Sequence, residues 1–454
     1  MGFLSLILLN KTKASAPALV VKGNKKIINA WAMYDWANSV YSLTITTAIF
    51  PIYFTEVTTQ NGSDIVNFLG RDFKNTALYT YTLSIAFLLV ALLSPMLSAI
   101  ADASGSKKGF MKFFAWMGGF SCAGLFFFDS SNLWLGLLFF MLASIGFSGS
   151  IVFYNSYLPE IADPADQDKV SAKGYALGYI GSSILLILNL VMIMKPDLFG
   201  IAAGTTLPAR LSFLMVGVWW IGFSSYTFYH LPSNVYNKKR EGKYLMKGYS
   251  ELLKVFRELK NLKYLTRFLL SFFFYNMGVQ TVMYVATLFG EKEIKLGTSE
   301  LIITVLIIQF VAIGGAFMFS SLSARFGNMK ALMIAISIWI GICVGAYNLY
   351  DPNAFYVLAF VVGMVMGGIQ SLSRSTYSKL LPETQDHASY FSFYDVCEKM
   401  GLVLGSASYG LIEELTGSMR NSVLALIFFF VIGLFFLLRS MFLQRRDARQ
   451  IAIN

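Results

Sequence analysis

One aspartate, Asp35, sits a turn or two inside an otherwise apolar run, WAMYDWANSVYS (31–42). A distant apolar run contains FYDVCEKMG, which holds Asp395, Glu398 and Lys399, and Arg374 closes the run before it. An aspartate at the centre of a lipid-facing helix costs about 2.5–3.5 kcal/mol on insertion scales. These groups therefore belong in a protein interior or a water-filled cavity. Fully ionised, the five carry one more negative charge than positive. Like charges held close, or poorly hydrated, raise a carboxylate pKa and suit it to carrying a proton. Asp35 or Glu398 is the expected carrier. The rival reading is a static salt-bridge cluster that closes a mouth. Asp395 and Lys399 stand at i and i+4, the spacing of an intrahelical pair, which leaves Glu398 without an obvious partner.

These groups need helices to hold them. Asp35 lies about seven residues into its helix, about 10 Å deep at 1.5 Å per residue. Asn38, Ser42 and Thr46 follow at helical spacing and extend one polar stripe. The chain has 454 residues, 56% hydrophobic and 13% charged, where a soluble globule carries about a quarter charged residues. Apolar runs of about 18 residues or more, long enough to span a bilayer, recur about twelve times. The expectation is an all-α integral membrane protein with twelve transmembrane helices.

Other chemistries find no footing. Cys122, Cys343 and Cys397 lie in separate apolar runs and read as small buried hydrophobes. His230 and His387 sit beside helix ends, so no metal centre is expected. No nucleophile-and-base set argues for an embedded enzyme, no phosphate-binding glycine loop argues for ATP coupling, and no cofactor is expected. The N-terminal MGFLSLILLNKTK is apolar before it is basic, the reverse of a secretory signal, and Leu6 breaks the myristoylation pattern.

With alternating helices, most of the 36 Lys and Arg residues fall on the side of the two termini. Excess Lys and Arg marks the cytoplasmic side, so both termini are expected there. The net charge of +11 then reflects topology and anionic lipid, not nucleic acid. The chain divides into a cytoplasmic tail (1–27), a six-helix bundle (28–231), a cytoplasmic linker (232–263), a second six-helix bundle (264–443) and a C-terminal tail (444–454). In the linker, Leu252, Val255, Phe256, Leu259 and Leu262 recur at helical spacing with Lys254, Arg257 and Lys260 between them. That pattern predicts a basic amphipathic helix on the membrane surface.

The two bundles repeat each other. SAIADASGSKKGF follows the expected helix 2 (76–101) and SSLSARFGNMKAL follows the expected helix 8 (300–323); aligning Gly105 with Gly327 also aligns Lys108 with Lys330. LPEIADPADQDKVSAKGY follows helix 4 and LPETQDHASYFSFY follows helix 10, at nearly the same separation from the glycine. Both signatures fall on one side, which makes the halves parallel repeats about an axis along the membrane normal. Six plus six parallel repeats is the major facilitator architecture. The glycine loops resemble the signature loop of that superfamily, which latches the cytoplasmic side in the outward-open state. The latch residues are then Asp102, Gly105, Lys107 and Lys108 in the first half and Arg325, Gly327 and Lys330 in the second. Ala324 replaces the aspartate there, so the second latch is expected to be weaker.

YDWANSVYS, FPIYF, YLPEIA, KGYALGYIGS, YNMGVQT, GGIQSLSRS and FYDVCEKMG together resemble one branch, the autophagy-related vacuolar amino-acid effluxer family and its bacterial relatives of unassigned substrate. Short loops and a short N-terminal tail point to a bacterial member in a multi-pass cell membrane. The resemblance implies that helices 1, 4, 7 and 10 line a cavity. Tyr34, Asn38, Ser42, Tyr154, Asn155, Asn276, Gln280, Tyr284, Gln370 and Ser371 become the substrate-binding candidates. Gly278 is expected to loosen helix 7. Gly174, Gly178 and Ser182, and Gly401 and Gly405, form small-residue faces for close helix contact. The expected function is alternating-access transport of a small polar or zwitterionic solute, an amino acid or small peptide, coupled to protons. The alternatives are transport of a lipid-like amphiphile and a substrate sensor without flux. The expected partners are the solute, protons and the bilayer, with the chain a monomer.

Overall fold

The computed structural model describes residues 21–59, 62–236 and 244–453. The apolar-then-basic N-terminal stretch lies outside the described residues. Twelve long helices follow one another: α1 (Lys25–Thr58), α2 (Asn75–Ser104), α3 (Lys107–Gly124), α4 (Leu133–Ser156), α5 (Gln167–Met194) and α6 (Leu207–His230). After a linker helix (Tyr244–Asn261) come α7 (Lys263–Lys292), α8 (Thr298–Phe326), α9 (Asn328–Tyr347), α10 (Pro352–Leu380), α11 (His387–Thr416) and α12 (Met419–Ile453). Eleven of these are long and apolar enough to cross a membrane. The exception, α11, is 30 residues long but concentrates Asp395, Glu398 and Lys399 at its centre. It packs among α2, α4, α7 and α12, so neighbouring helices shield those charges from lipid.

Local signals start and stop the helices. The Asn24 side chain accepts from the N–H groups of Lys26 and Ile27 at the start of α1, satisfying donors that a helix start leaves open. Asp351 does the same for α10, with Pro352 at its first position. Gly105 ends α2 in a left-handed conformation, φ +62°. A Cβ at Gly105 would also fall 2.7 Å from the Asn234 side chain.

Four local features depart from expectation. Within α1, Tyr41–Ala48 forms a π-helix, and the Ile49 N–H donates to Thr44 O five residues back at 2.9 Å. A two-stranded antiparallel hairpin, β1 (Ile65–Phe68) and β2 (Arg71–Lys74), fills the connection to α2. Helix α7 runs unbroken through Gly278, where a Cβ would lie 2.5 Å from the Phe430 ring. That glycine serves close packing on α12, so the expected loosening is not seen. The segment expected as a C-terminal tail continues α12 to Ile453.

The linker helix also departs from the surface-lying expectation. It crosses α2 and touches α7 and α11. Val255 is fully buried and Leu259 is 7% exposed, both within the apolar core of the second half. Its apolar face is spent on protein; Phe256 stays 45% exposed.

Two apolar clusters form the interior. One gathers residues of α1–α6, from Trp31 to Leu231, with Ala388. The other gathers the linker helix and α7–α12, from Val255 to Leu437, with Tyr179. The halves meet where α2 packs on α11 and α5 packs on α8 and α10. The small-residue faces act mainly within each half, and Gly174 also meets Arg374 of the other half. A Cβ at Gly178 of α5 would lie 2.5 Å from Ser39 Oγ of α1, and one at Gly405 of α11 would lie 2.5 Å from Thr281 Oγ1 of α7. Gly401 faces Phe273 O in the same seam.

Candidate functional site: a polar cavity between the halves and its linker-side closure

A cavity of about 230 Å³ lies between the two halves. From α1 it receives Asp35, Asn38, Ser42 and Thr46, so the stripe read from sequence does face one space, π segment included. Helix α4 contributes Asn155; α7 contributes Asn276, Gln280, Tyr284 and Thr287; α10 contributes Gln370 and Arg374; α11 contributes Glu398 and Lys399. Sequence reasoning missed the walls from α5, with Tyr175 and Tyr179, and from α8, with Thr304 and Gln309. The signal for Gln309 was present: a lone amide inside the apolar run LIITVLIIQFVAIGG.

Three expected substrate residues stand elsewhere. Tyr34 is fully buried against Tyr154 and Phe228 within the first half. Tyr154 stands behind Asp35, donating its hydroxyl to Oδ2 at 2.7 Å. Ser371 turns its hydroxyl back to Gly367 O, while its carbonyl accepts from Ser171 across the halves at 2.7 Å.

The five charged residues divide into two groups. Arg374, 1% exposed, leaves the second half and enters the first. Its Nη1 donates to Asp35 Oδ2 at 3.2 Å and Asn155 Oδ1 at 3.3 Å. Its Nε and Nη2 donate to Ser171 Oγ and Ser171 O, both at 2.9 Å. The guanidinium lies over the Tyr175 ring at 4.2 Å and the Trp31 ring at 4.8 Å. Gly174 permits this crowding, because a Cβ there would lie 2.5 Å from Asp35 Oδ2. A planar fork can satisfy three partners and a ring at once, which a lysine cannot.

The second group belongs to α11. Lys399 Nζ lies 3.2 Å from Glu398 Oε1 and 3.6 Å from Asp395 Oδ1. The expected Asp395–Lys399 pair is therefore present but is the longer of the two, and Glu398 does have a partner. Lys399 also faces the Phe87 ring of α2 at 5.7 Å. Arg374 is committed to Asp35, so the expected single cluster is two.

At the linker end the halves are joined by two networks. Asp102 accepts from the N–H groups of Ala388 (3.3 Å) and Ser389 (2.7 Å) and from the Ser389 hydroxyl (2.8 Å). These donors open α11, where a helix favours an anion. Lys107 pairs with Glu160 and lies 3.8 Å from Asp102, and His387 Nδ1 lies 3.0 Å from Glu160. Lys108 donates to Leu231 O at 2.8 Å. The second network is built differently from expectation. Arg325 and Lys330 are exposed, and Arg325 stacks on Phe326. Asp168, at the start of α5, instead accepts from Ser323 (2.6 Å) and Asn328 (2.8 Å) and pairs with Lys379 (2.7 Å). The carboxylate missing at Ala324 is supplied from the opposite half, so this latch is not weak for want of an acid.

The linker helix braces the same end. Lys254 Nζ lies 3.0 Å from Glu251 and 3.4 Å from Asp386, and Tyr390 donates to Glu258 at 2.6 Å. At mid-depth, Tyr179 donates to Gln370 at 2.6 Å across the halves. The cavity wall continues past this level to Thr47, Thr287 and Thr304, toward the end opposite the linker. The cavity is thus closed at the linker side.

Comparison with known proteins agrees with this architecture. The family described as vacuole effluxer Atg22-like matches residues 23–450. The uncharacterized MFS-type transporter YxiO of Bacillus subtilis is 34% identical, over 89% of this chain and 92% of that protein. Autophagy-related protein 22 of Yarrowia lipolytica is 24% identical, over 82% of this chain and 77% of that protein. Among solved structures, the outward conformation of the major facilitator transporter FucP matches with TM-score 0.67 at 13% identity, over 91% of this chain and 97% of that one. The human organic anion transporter MFSD10 matches with TM-score 0.68 at 11% identity, over 92% and 100%. The fold is that of the major facilitator superfamily, and the chain belongs to its vacuole effluxer Atg22-like family of membrane transporters.

Proposed function

We propose that this chain moves a small polar or zwitterionic solute, an amino acid or small peptide, by alternating access, driven by a proton gradient through the acidic groups of its cavity. One observation carries the reading. Amide, hydroxyl and charged groups from both halves face one cavity, and the described hydrogen bonds between side chains of the two halves lie at the linker side and at mid-depth, none beyond. Amides and hydroxyls both donate and accept, which suits a solute with an ammonium and a carboxylate. The bundles 28–231 and 264–443 are the rocking bodies, joined by 232–263. The excess of Lys and Arg supports a cytoplasmic linker and cytoplasmic termini, and on that reading the cavity faces outward. The likeness to YxiO supports a bacterial cell membrane. Asp35 and Glu398 are the cavity-lining carboxylates through which coupling is expected. The chain acts as a monomer and not as an enzyme.

The test starts from purified protein. A thermal-shift screen of amino acids, small peptides and lipids identifies ligands, since binding to the folded form raises apparent stability. Hits are then measured for uptake into proteoliposomes with and without a pH gradient. Saturable, gradient-dependent flux of an amino acid or peptide is expected. A lipid-only hit replaces the solute class, and binding without counterflow replaces the carrier with a sensor.

A further inference from the structure

The proposed coupling looks to Asp35 and Glu398, yet a third carboxylate is held with less support than either. Asp35 is well provided: the Tyr154 hydroxyl and the Arg374 guanidinium both donate to its Oδ2. The Asp35–Arg374 pair is neutral by itself. Asp395 differs in every respect. It is 2% exposed, and neither of its carboxylate oxygens accepts a hydrogen bond from any described residue. Lys399 Nζ, at 3.6 Å, stands outside hydrogen-bond reach and leans toward Glu398. One ammonium faces two carboxylates, so the excess negative charge of the cavity resides on α11.

Among the described residues, the surroundings offer no second cation. Lys399 and Glu398 are the charged groups acting on Asp395, and the Cys397 thiol lies beside it on the same helix. Helix α2 presents Phe87 at this level. Tyr284 of α7 and Tyr175 of α5 line the same cavity as the Lys399–Glu398 pair, and Arg374 of α10 lies over the Tyr175 ring. The charged groups reaching α11 from α2, the α4–α5 connection and the linker helix, Asp102, Glu160 and Glu258, meet only its first turn, at Ser389, His387 and Tyr390. Helix α12 brings none to this level among the described ion pairs. An ionised carboxylate without donors is costly inside a protein, while a protonated one is a neutral group with a donor of its own.

We infer that Asp395 is the proton-binding carboxylate of this transporter, with Glu398 exchanging that proton with the cavity and Lys399 moving between the two. The inference rests on the proposed proton coupling and assigns its site. Glu398 takes the proton from the cavity and passes it on, its transient O–H bond breaking as the O–H bond on one Asp395 oxygen forms, and the triad passes from a single negative charge to neutrality. Lys399 stays an ammonium and then pairs with Glu398 alone. Asp35 becomes a positioning residue that holds Arg374.

Infrared difference spectroscopy of the full chain in liposomes, stepped between acid and alkaline buffer, reads this directly in the carboxylic-acid C=O stretch. The wild type should show a reversible component that Asp395→Asn removes and Asp35→Asn leaves in place. Glu398→Gln should keep the component but slow its appearance. Asp395→Glu should shift it, which decides the matter if Asp395→Asn does not fold. A component that survives Asp395→Asn, does not move in Asp395→Glu or disappears in Asp35→Asn overturns the assignment. The measurement needs no solute, so its failure relocates the proton while the flux experiments judge the transporter reading separately.

Discussion

At the scale of single residues, the Asp35–Arg374 contact is a buried ion pair that joins the two halves. Removing one partner of a buried pair leaves the other charge uncompensated, a loss of about 3–5 kcal/mol. Asp35→Ala should therefore lower the apparent melting temperature sharply in detergent, as read by tryptophan fluorescence. Arg374→Lys keeps the charge but cannot reach Asp35, Asn155 and Ser171 together. Its expected loss is smaller, about 1–3 kcal/mol for the buried acceptors left open. Gly174→Ala should destabilise by about 1–3 kcal/mol through overpacking against the same pair. Both charges were legible in the sequence as ionisable groups in apolar runs. Their pairing was not, because the partners lie 339 positions apart and only tertiary packing decides which carboxylate Arg374 meets. The same limit explains Tyr34 and Ser371: a polar residue marks a non-lipid face, and a helix in a bundle has more than one.

At the scale of elements, helix number, order and repeat were readable, because bilayer thickness imposes one length on every span. Irregularities were less so. No residue type announces the π segment of α1, and the β1–β2 hairpin is only four residues per strand. The linker helix shows a different limit. Its amphipathic pattern was correct, but an apolar stripe does not say whether lipid or protein will cover it. Its docking carries a pH prediction. A hydrogen bond with Asp386, and then burial, raise the Glu251 carboxyl above its usual value. A raised carboxyl contributes fully below its unfolded pKa, about 4.3 for glutamate, and loses that contribution as pH climbs through the folded value. Hydrogen exchange in Tyr244–Asn261, corrected for intrinsic rate, should show more protection in acid than at neutral pH. Glu251→Gln retains a donor and should flatten that dependence; unchanged pH dependence in this variant would reject the mechanism.

At the scale of the whole molecule, the two linker-side networks make one closure from unlike parts. Asp102 binds a helix start from the last turn of α2, and Asp168 presents its carboxylate from the start of α5 to the α8–α9 turn. Asp102→Ala should shift the population toward a linker-side-open form, read as faster labelling of a cysteine placed at Gln370 by a membrane-impermeant reagent supplied from the linker side, with the Asp168 network still intact. A crosslink between cysteines at positions 168 and 323, whose present side chains meet at 2.6 Å, should hold the linker side shut. Uptake into proteoliposomes should stop and return on reduction. Persistent uptake with the crosslink complete would mean that this closure does not open during transport.

The wide turn of α1 has a consequence for how such an opening travels along a helix. Tyr41–Ala48 holds one residue more per hydrogen-bonded ring than the helix around it. Tightening that stretch to ordinary pitch displaces the register by one residue, and each residue of an α-helix subtends about 100°. Phe50–Thr58, with Phe50 and Tyr53 wedged against Phe213 of α6, would then swivel about its own axis while Asp35 kept its grip on Arg374. Such a swivel would turn at the π segment, halfway along the rod that supports the cavity.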